Sequence, residues 1–164
     1  MSIAAELVEA EIRRVFPVRR PEDFGPLSEG ERDENVRIRT DLASVTDWTT
    51  LDPEVTAEID RNSGFGFLTN KAARFYLPAF LIADLRGISL NSDPTYNLCV
   101  CNPPTQTDEV TAWQLAILRS RWDALVPEQA AAVCHYLEWR IATRSIEIER
   151  GAAFSLSAYW YQRT

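Results

Sequence analysis

Between Phe67 and Gly87 the chain reads FLTNKAARFYLPAFLIADLRG, an almost unbroken apolar stretch with a proline inside it. A helix that spans a bilayer needs roughly twenty consecutive apolar residues. Here Arg74 interrupts the run on one side and Asp84 and Arg86 on the other, so it is too short to span. Phe75, Tyr76, Leu77, Phe80, Leu81, Ile82 and Leu85 point in nearly all directions around a helix. That is the pattern of an element buried on most sides. The run therefore predicts a central helix over residues 69–86, with Thr69 as its N-cap. Pro78 has no N–H to donate, so the carbonyl of Arg74 loses its usual partner and the helix is expected to bend. The bend is read first as a kink within the core. The rival reading is a pocket at the kink, where Arg74, Tyr76 and Pro78 meet a small ligand. A partly buried arginine ordinarily has a carboxylate partner in the same protein, which favours the first reading.

The remaining elements also read as helices. Near the N-terminus Ala4, Val8, Ile12 and Val15 form one stripe, with Glu6, Glu9 and Arg13 opposite and Glu9 spaced to pair with Arg13. Pro17 ends that helix. In ENVRIRTDLASV, Val36, Leu42 and Ala43 suggest a helix, against a strand-like alternation of Val36, Ile38 and Thr40. Asp52 followed by Pro53 is a helix start, because proline's missing N–H costs nothing in the first turn. That helix is expected to reach about Asp60, and NSGFG breaks the chain after it. Two longer helices follow, over residues 108–122 with Val110, Trp113 and Ile117 on one face, and 127–148 with Ala130, Val133, Leu137, Ile141 and Ile148 on one face. The final GAAFSLSAYWYQRT alternates like a strand at Phe154, Leu156, Ala158 and Trp160, but its alanines favour a helix. The fold class that results is all-α, a single compact helical domain over residues 1–164 around the kinked helix.

Such a length suits one domain with a sizeable core. The net charge of −7 repels phosphate backbones and anionic lipid head groups, which argues against nucleic acid and membrane surfaces as partners. The acidity is concentrated in PEDFGPLSEGERDE, where Glu22, Asp23, Glu29, Glu31, Asp33 and Glu34 face only Arg32. Residues 18–34 are accordingly read as a solvated acidic loop. Three cysteines, an odd number, and an opening without a long apolar stretch fit a reducing cytoplasm better than an oxidising compartment.

The stretch FLTNKAARFYLPAFLIADL, followed by LVPEQAAAVCHYLEW, resembles a family of small uncharacterised bacterial domains. Its marks are a Phe-Leu-Ser/Thr-x-x-Ala-x-Arg-Phe/Tyr-Tyr-Leu-Pro-Ala core and a later Thr-Pro-Glu-Gln-x-x-Ala-Val helix start. The match is close from Phe67 to Ala79 and departs at Val126, where the family has a hydroxyl residue able to cap the helix. The resemblance implies a bacterial cytosolic setting and carries no catalytic residue.

Cys99, Cys101, Cys134 and His135 are the residues nearest to a metal set. Structural zinc sites use C-x₂₋₄-C spacing, and Cys134 and His135, adjacent on a helix, diverge by ~100°. No metal and no cofactor is expected, and the cysteines are read as small buried hydrophobes. His135 is the one histidine, so any Ser/His/Asp or Cys/His mechanism depends on it. Its side of the helix lies away from the apolar stripe, which predicts partial exposure. Glu6 with Glu9, and Glu147 with Glu149, read as solvated pairs rather than acid/base couples. No phosphate loop, nucleophile elbow or HExxH pattern is present in the sequence.

Three functions remain in view. The first is a non-catalytic cytoplasmic protein that engages a basic protein partner through Glu22, Asp23, Glu29, Glu31, Asp33 and Glu34, for example an immunity protein that neutralises a bacterial toxin. The second is an enzyme or small-ligand module at Arg74, Tyr76 and Pro78. The third is a homo-oligomer subunit that pairs through its C-terminal aromatics, Trp160 among them.

Overall fold

Thr69 does cap the helix built from the apolar run. Its Oγ1 accepts the Ala72 N–H at 3.3 Å and donates to the Pro26 carbonyl at 2.9 Å. The structure, a computed structural model, describes residues 4–62, 64–88, 93–100, 107–143 and 146–164, the side chains of 60, 93 and 146–149 excepted. All regular elements among the described residues are helical: α1 Ala5–Val15, α2 Asp33–Leu42, α3 Pro53–Arg61, α4 Asn70–Leu85, α5 Asp93–Leu98, α6 Asp108–Trp122, α7 Pro127–Thr143 and α8 Ile146–Ala158. Short 3-10 turns lie at Trp48–Thr50, Gly64–Phe67 and Trp160–Gln162. The protein is all-α. The chain divides into two compact units, Phe16–Pro94 and Met1–Val15 with Thr95–Thr164.

In the Phe16–Pro94 unit, α4 is buried nearly all round and runs on through Pro78, itself buried. It stops at Gly87, whose φ of +72° only glycine adopts without strain. The Gly87 N–H bonds the Asp84 carbonyl and the Ile88 N–H bonds the Ala83 carbonyl, both at 2.9 Å, so the last carbonyls are satisfied in a Schellman motif. Asp52 caps α3 by accepting the Glu54 N–H at 2.8 Å, as the Asp-Pro start predicts. Phe65 meets Phe80 edge to face at 4.8 Å between ring centres. Trp48 is fully buried and its indole N–H donates to the Pro17 carbonyl at 2.8 Å. ENVRIRTDL is helical, but its buried positions are Asn35, Ile38 and Leu42, whereas Val36 is exposed.

The second unit pairs α1 with α7 and α7 with α8. Val8 and Ile12 are buried, and Arg13 bonds Glu9 at 2.8 Å. Val126 supplies no hydroxyl to cap α7. Gln129 compensates: its Oε1 accepts the Val126 N–H at 3.2 Å, the reaching-back half of a capping box, while its amide donates to the Val15 carbonyl at 3.3 Å. α8 carries a small-residue face, where Gly151 and Ser155 let the backbone that leaves the end of α5, Leu98 to Val100, lie close. A Cβ on Gly151 would come within 2.9 Å of the Val100 carbonyl oxygen. The Ser155 hydroxyl accepts the Val100 N–H at 2.7 Å, and the Trp160 and Trp122 indoles donate to the Leu98 and Asn97 carbonyls at 2.8 and 3.0 Å. The last carbonyls of α5 and the chain that leaves it are thus satisfied by side chains.

Two expectations are corrected. The helix expected over 127–148 ends at Thr143, and Ile148 belongs to α8. In α6, whose bounds are as predicted, the stripe of Val110, Trp113 and Ile117 faces outward, and Leu118 and Trp122 on the other side make the core contacts.

Candidate functional site

The acidic segment is not a free loop. Phe24, Leu27 and Ser28 are buried within it. Phe24 stands edge-on to Phe75 at 5.4 Å, with the Arg20 guanidinium 5.4 Å from its ring centre. The Leu27 carbonyl accepts the Thr69 N–H at 2.9 Å, and the Ser28 hydroxyl donates to the Asn35 carbonyl at 3.0 Å. Gly25 and Gly30 turn the chain at φ of +78° and +90°. The acidic side chains stand out from this pinned backbone: Glu22 and Asp23 beside Phe24, Glu29 and Glu31 beside Gly30, all exposed. Asp33 and Glu34 are not in the loop but form the first turn of α2, where carboxylates favour the helix dipole. Part of the charge is already answered. Lys71 donates to the Asp23 carbonyl at 2.5 Å and lies 3.5 Å from its carboxylate, and Arg39 lies 3.7 Å from Glu31.

A groove of about 820 Å³ runs between this segment and the start of α4. Glu29, Gly30 and Glu31 line one wall, and Asn70, Lys71 and Arg74 the other. Burial lowers the pKa of the half-buried Arg74 guanidinium. The volume is that of a small-molecule or side-chain pocket. Glu29 and Glu31 thus share one groove with Arg74, although the sequence presents them as rival sites. Tyr76 and Pro78 do not reach it. Tyr76 is fully buried, its hydroxyl donating to the Val45 carbonyl at 2.7 Å and accepting from Arg20 at 3.4 Å. Burial raises the Tyr76 pKa, with Arg20 opposing the shift. Two residues along a helix turn a side chain by about 200°, which is why Arg74 and Tyr76 diverge. Asp33 and Glu34 border a second, smaller pocket of about 220 Å³ with Arg37 and Glu58. There the hydrogen bond from Arg37, 2.6 Å long, holds the Glu58 carboxyl below its usual range, with Asn62 assisting.

His135, 44% exposed, bonds Glu11 through Nδ1 at 2.6 Å. Cys134 next to it is buried, Cys99 is half-buried, and Cys101 lies outside the described residues. Among the described residues no three His, Cys, Asp or Glu side chains gather as a metal would require. Glu6 is exposed and Glu9 half-buried, and the side chains of Glu147 and Glu149 lie outside those described. Burial, with help from Glu138 and Glu11, pushes the Cys134 thiol up to about 12. The thiolate is the nucleophile, so iodoacetamide at pH 8 should leave Cys134 unlabelled in native protein and label it in urea, as read by peptide mass spectrometry. Equal labelling in both states would contradict that. Between pH 9 and 12 the unfolded thiol releases its proton and the folded one keeps it. The stability this contributes is therefore complete below about pH 9 and is lost as pH rises towards 12.

The architecture and the groove define a small all-α protein with a charged groove beside a pinned acidic segment. Across residues 24–164 the chain matches a family of unknown function (DUF6714), and it belongs to that family. No curated protein and no solved structure matches it significantly. No helix among the described residues is long and apolar enough to cross a membrane.

Proposed function

We propose that this protein is a non-catalytic cytoplasmic binding protein that takes a basic segment of a partner protein along the acidic rim and groove of residues 21–34. The observation that carries the reading is the pinning of this rim by Phe24, Leu27 and Ser28. Carboxylates on a backbone that is already ordered avoid much of the entropy cost of binding. Glu29 and Glu31 on the groove wall would receive a Lys or Arg side chain, and Glu22 and Asp23 would steer the approach. In its specific form the protein is an immunity protein and the basic partner a bacterial toxin.

The test is capture of partners from the native host's lysate across a salt series, comparing wild type with Glu29→Lys/Glu31→Lys. A basic protein should be retained stoichiometrically, released as salt rises, and bound roughly 10–100-fold more weakly by the variant, since truncating or reversing desolvated charges costs a few kcal/mol. Capture of nothing, or equal capture by both proteins, would overturn the reading. Arg74, Lys71 and Asn70 on the opposite wall support a second reading, a small anionic ligand in the same groove. Under it Arg74→Ala abolishes ligand-induced thermal stabilisation while the two glutamate changes do not.

A further inference from the structure

The outward face of α6 is independent of the groove. Trp113 is 62% exposed, and Val110 and Ile117 are 40% and 42% exposed. A contiguous exposed apolar stripe of this kind marks an interaction surface. Its layout says what covers it. At 100° per residue, Val110 and Ile117 fall about 60° and 40° to one side of Trp113. Ala112, Ala116, Glu109 and Arg119 fall to the other side, and all four are exposed. Neither Glu109 nor Arg119 has an ion-pair partner among the described residues.

We propose that two copies of this chain pair through α6, antiparallel, about a twofold axis beside Trp113. A twofold axis across such a face sets each flank against the same flank of the partner, with the order of residues reversed. Val110 then meets Ile117 of the partner subunit, Ala112 meets Ala116 of the partner subunit, and Glu109 meets Arg119 of the partner subunit. The midpoints of the three pairs fall within about half a residue of one another, between positions 113 and 114, so a single register accommodates them together. The alanines let the helices approach closely enough for the two Trp113 rings to pack across the axis. Trp160, the residue expected at an oligomer face, is fully buried. One helix from each copy buries less than about 1,200 Å² in total, which belongs to weak, reversible association.

Sedimentation velocity from about 5 to 500 µM should show a monomer–dimer equilibrium with a midpoint in the tens of micromolar. Trp113→Ala should weaken it at least about tenfold, as for an aromatic anchor. Glu109→Arg and Arg119→Glu should each weaken it roughly tenfold, because the twofold axis repeats every like-charge contact. A 1:1 mixture of those two variants restores opposite charges at both contacts and should recover dimer formation to within about threefold of wild type. Recovery in the mixture also shows that neither variant has lost its fold. A monomer at every concentration, a dimer indifferent to Trp113→Ala, or a mixture no better than its components would overturn the proposal.

Discussion

Replacing Trp160 with alanine should lower stability by about 4 kcal/mol, the middle of the range for deleting a buried aromatic. The residue is wholly buried, stacks edge-on with Tyr159 at 4.8 Å, and donates its indole N–H to the Leu98 carbonyl. Alanine removes the packing and leaves that carbonyl unpaired, which alone costs about 1–3 kcal/mol. Trp160→Phe keeps most of the packing and loses the bond, so it should fall between, at about 2 kcal/mol. Urea titration followed by far-UV circular dichroism reads both. A loss below 1 kcal/mol for alanine would mean that the Leu98 to Val100 backbone is not held as described.

Trp48→Ala should cost a similar amount, about 4 kcal/mol, in the other unit. Its indole holds the Pro17 carbonyl, and the neighbouring backbone bonds from Arg20 to Thr46 and from Trp48 to Val18 fasten the chain just before the acidic rim. Arg20 in turn lies over Phe24, the first anchor of that rim. The loss should therefore appear in two places, as a lower urea midpoint and as faster amide hydrogen exchange across residues 18–28. Unchanged exchange there would separate the tryptophan from the rim and remove one support for a preordered binding surface.

Much of the helical framework is legible in the sequence, for local reasons. Thr69, Asp52 and the Glu9–Arg13 spacing act within one or two turns, and each does in the structure what its chemistry predicts. The apolar density around α4 likewise announces a helix buried on most sides. The end of α7 at Thr143 and the separate start of α8 at Ile146 are less visible, because the sequence there is helix-compatible and neither glycine nor proline marks the change.

The candidate site was legible only in parts. Six acidic residues in fourteen stand out, but Phe24 and Leu27 among them are the clue that the segment is anchored rather than free, and the charge count hides it. Arg74 stands out beside a proline that does not share its pocket. Nothing in sequence spacing joins Glu29 and Glu31 to Lys71 and Arg74 some forty residues on. That meeting depends on Thr69 binding the carbonyls' neighbourhood at Pro26 and Leu27, a long-range contact.

By itself the sequence determined most of the helices, though not α5 or the division between α7 and α8, because caps, periodicity and proline act on neighbours a few residues apart. It also determined the acidity and its concentration in residues 21–34. Only the tertiary structure decided which faces those helices cover. The same periodicity that groups Val110, Trp113 and Ile117 on α6 is satisfied whether the stripe points into the core or away from it. Leu118 and Trp122, on the opposite side, took the core contacts and left Trp113 outside.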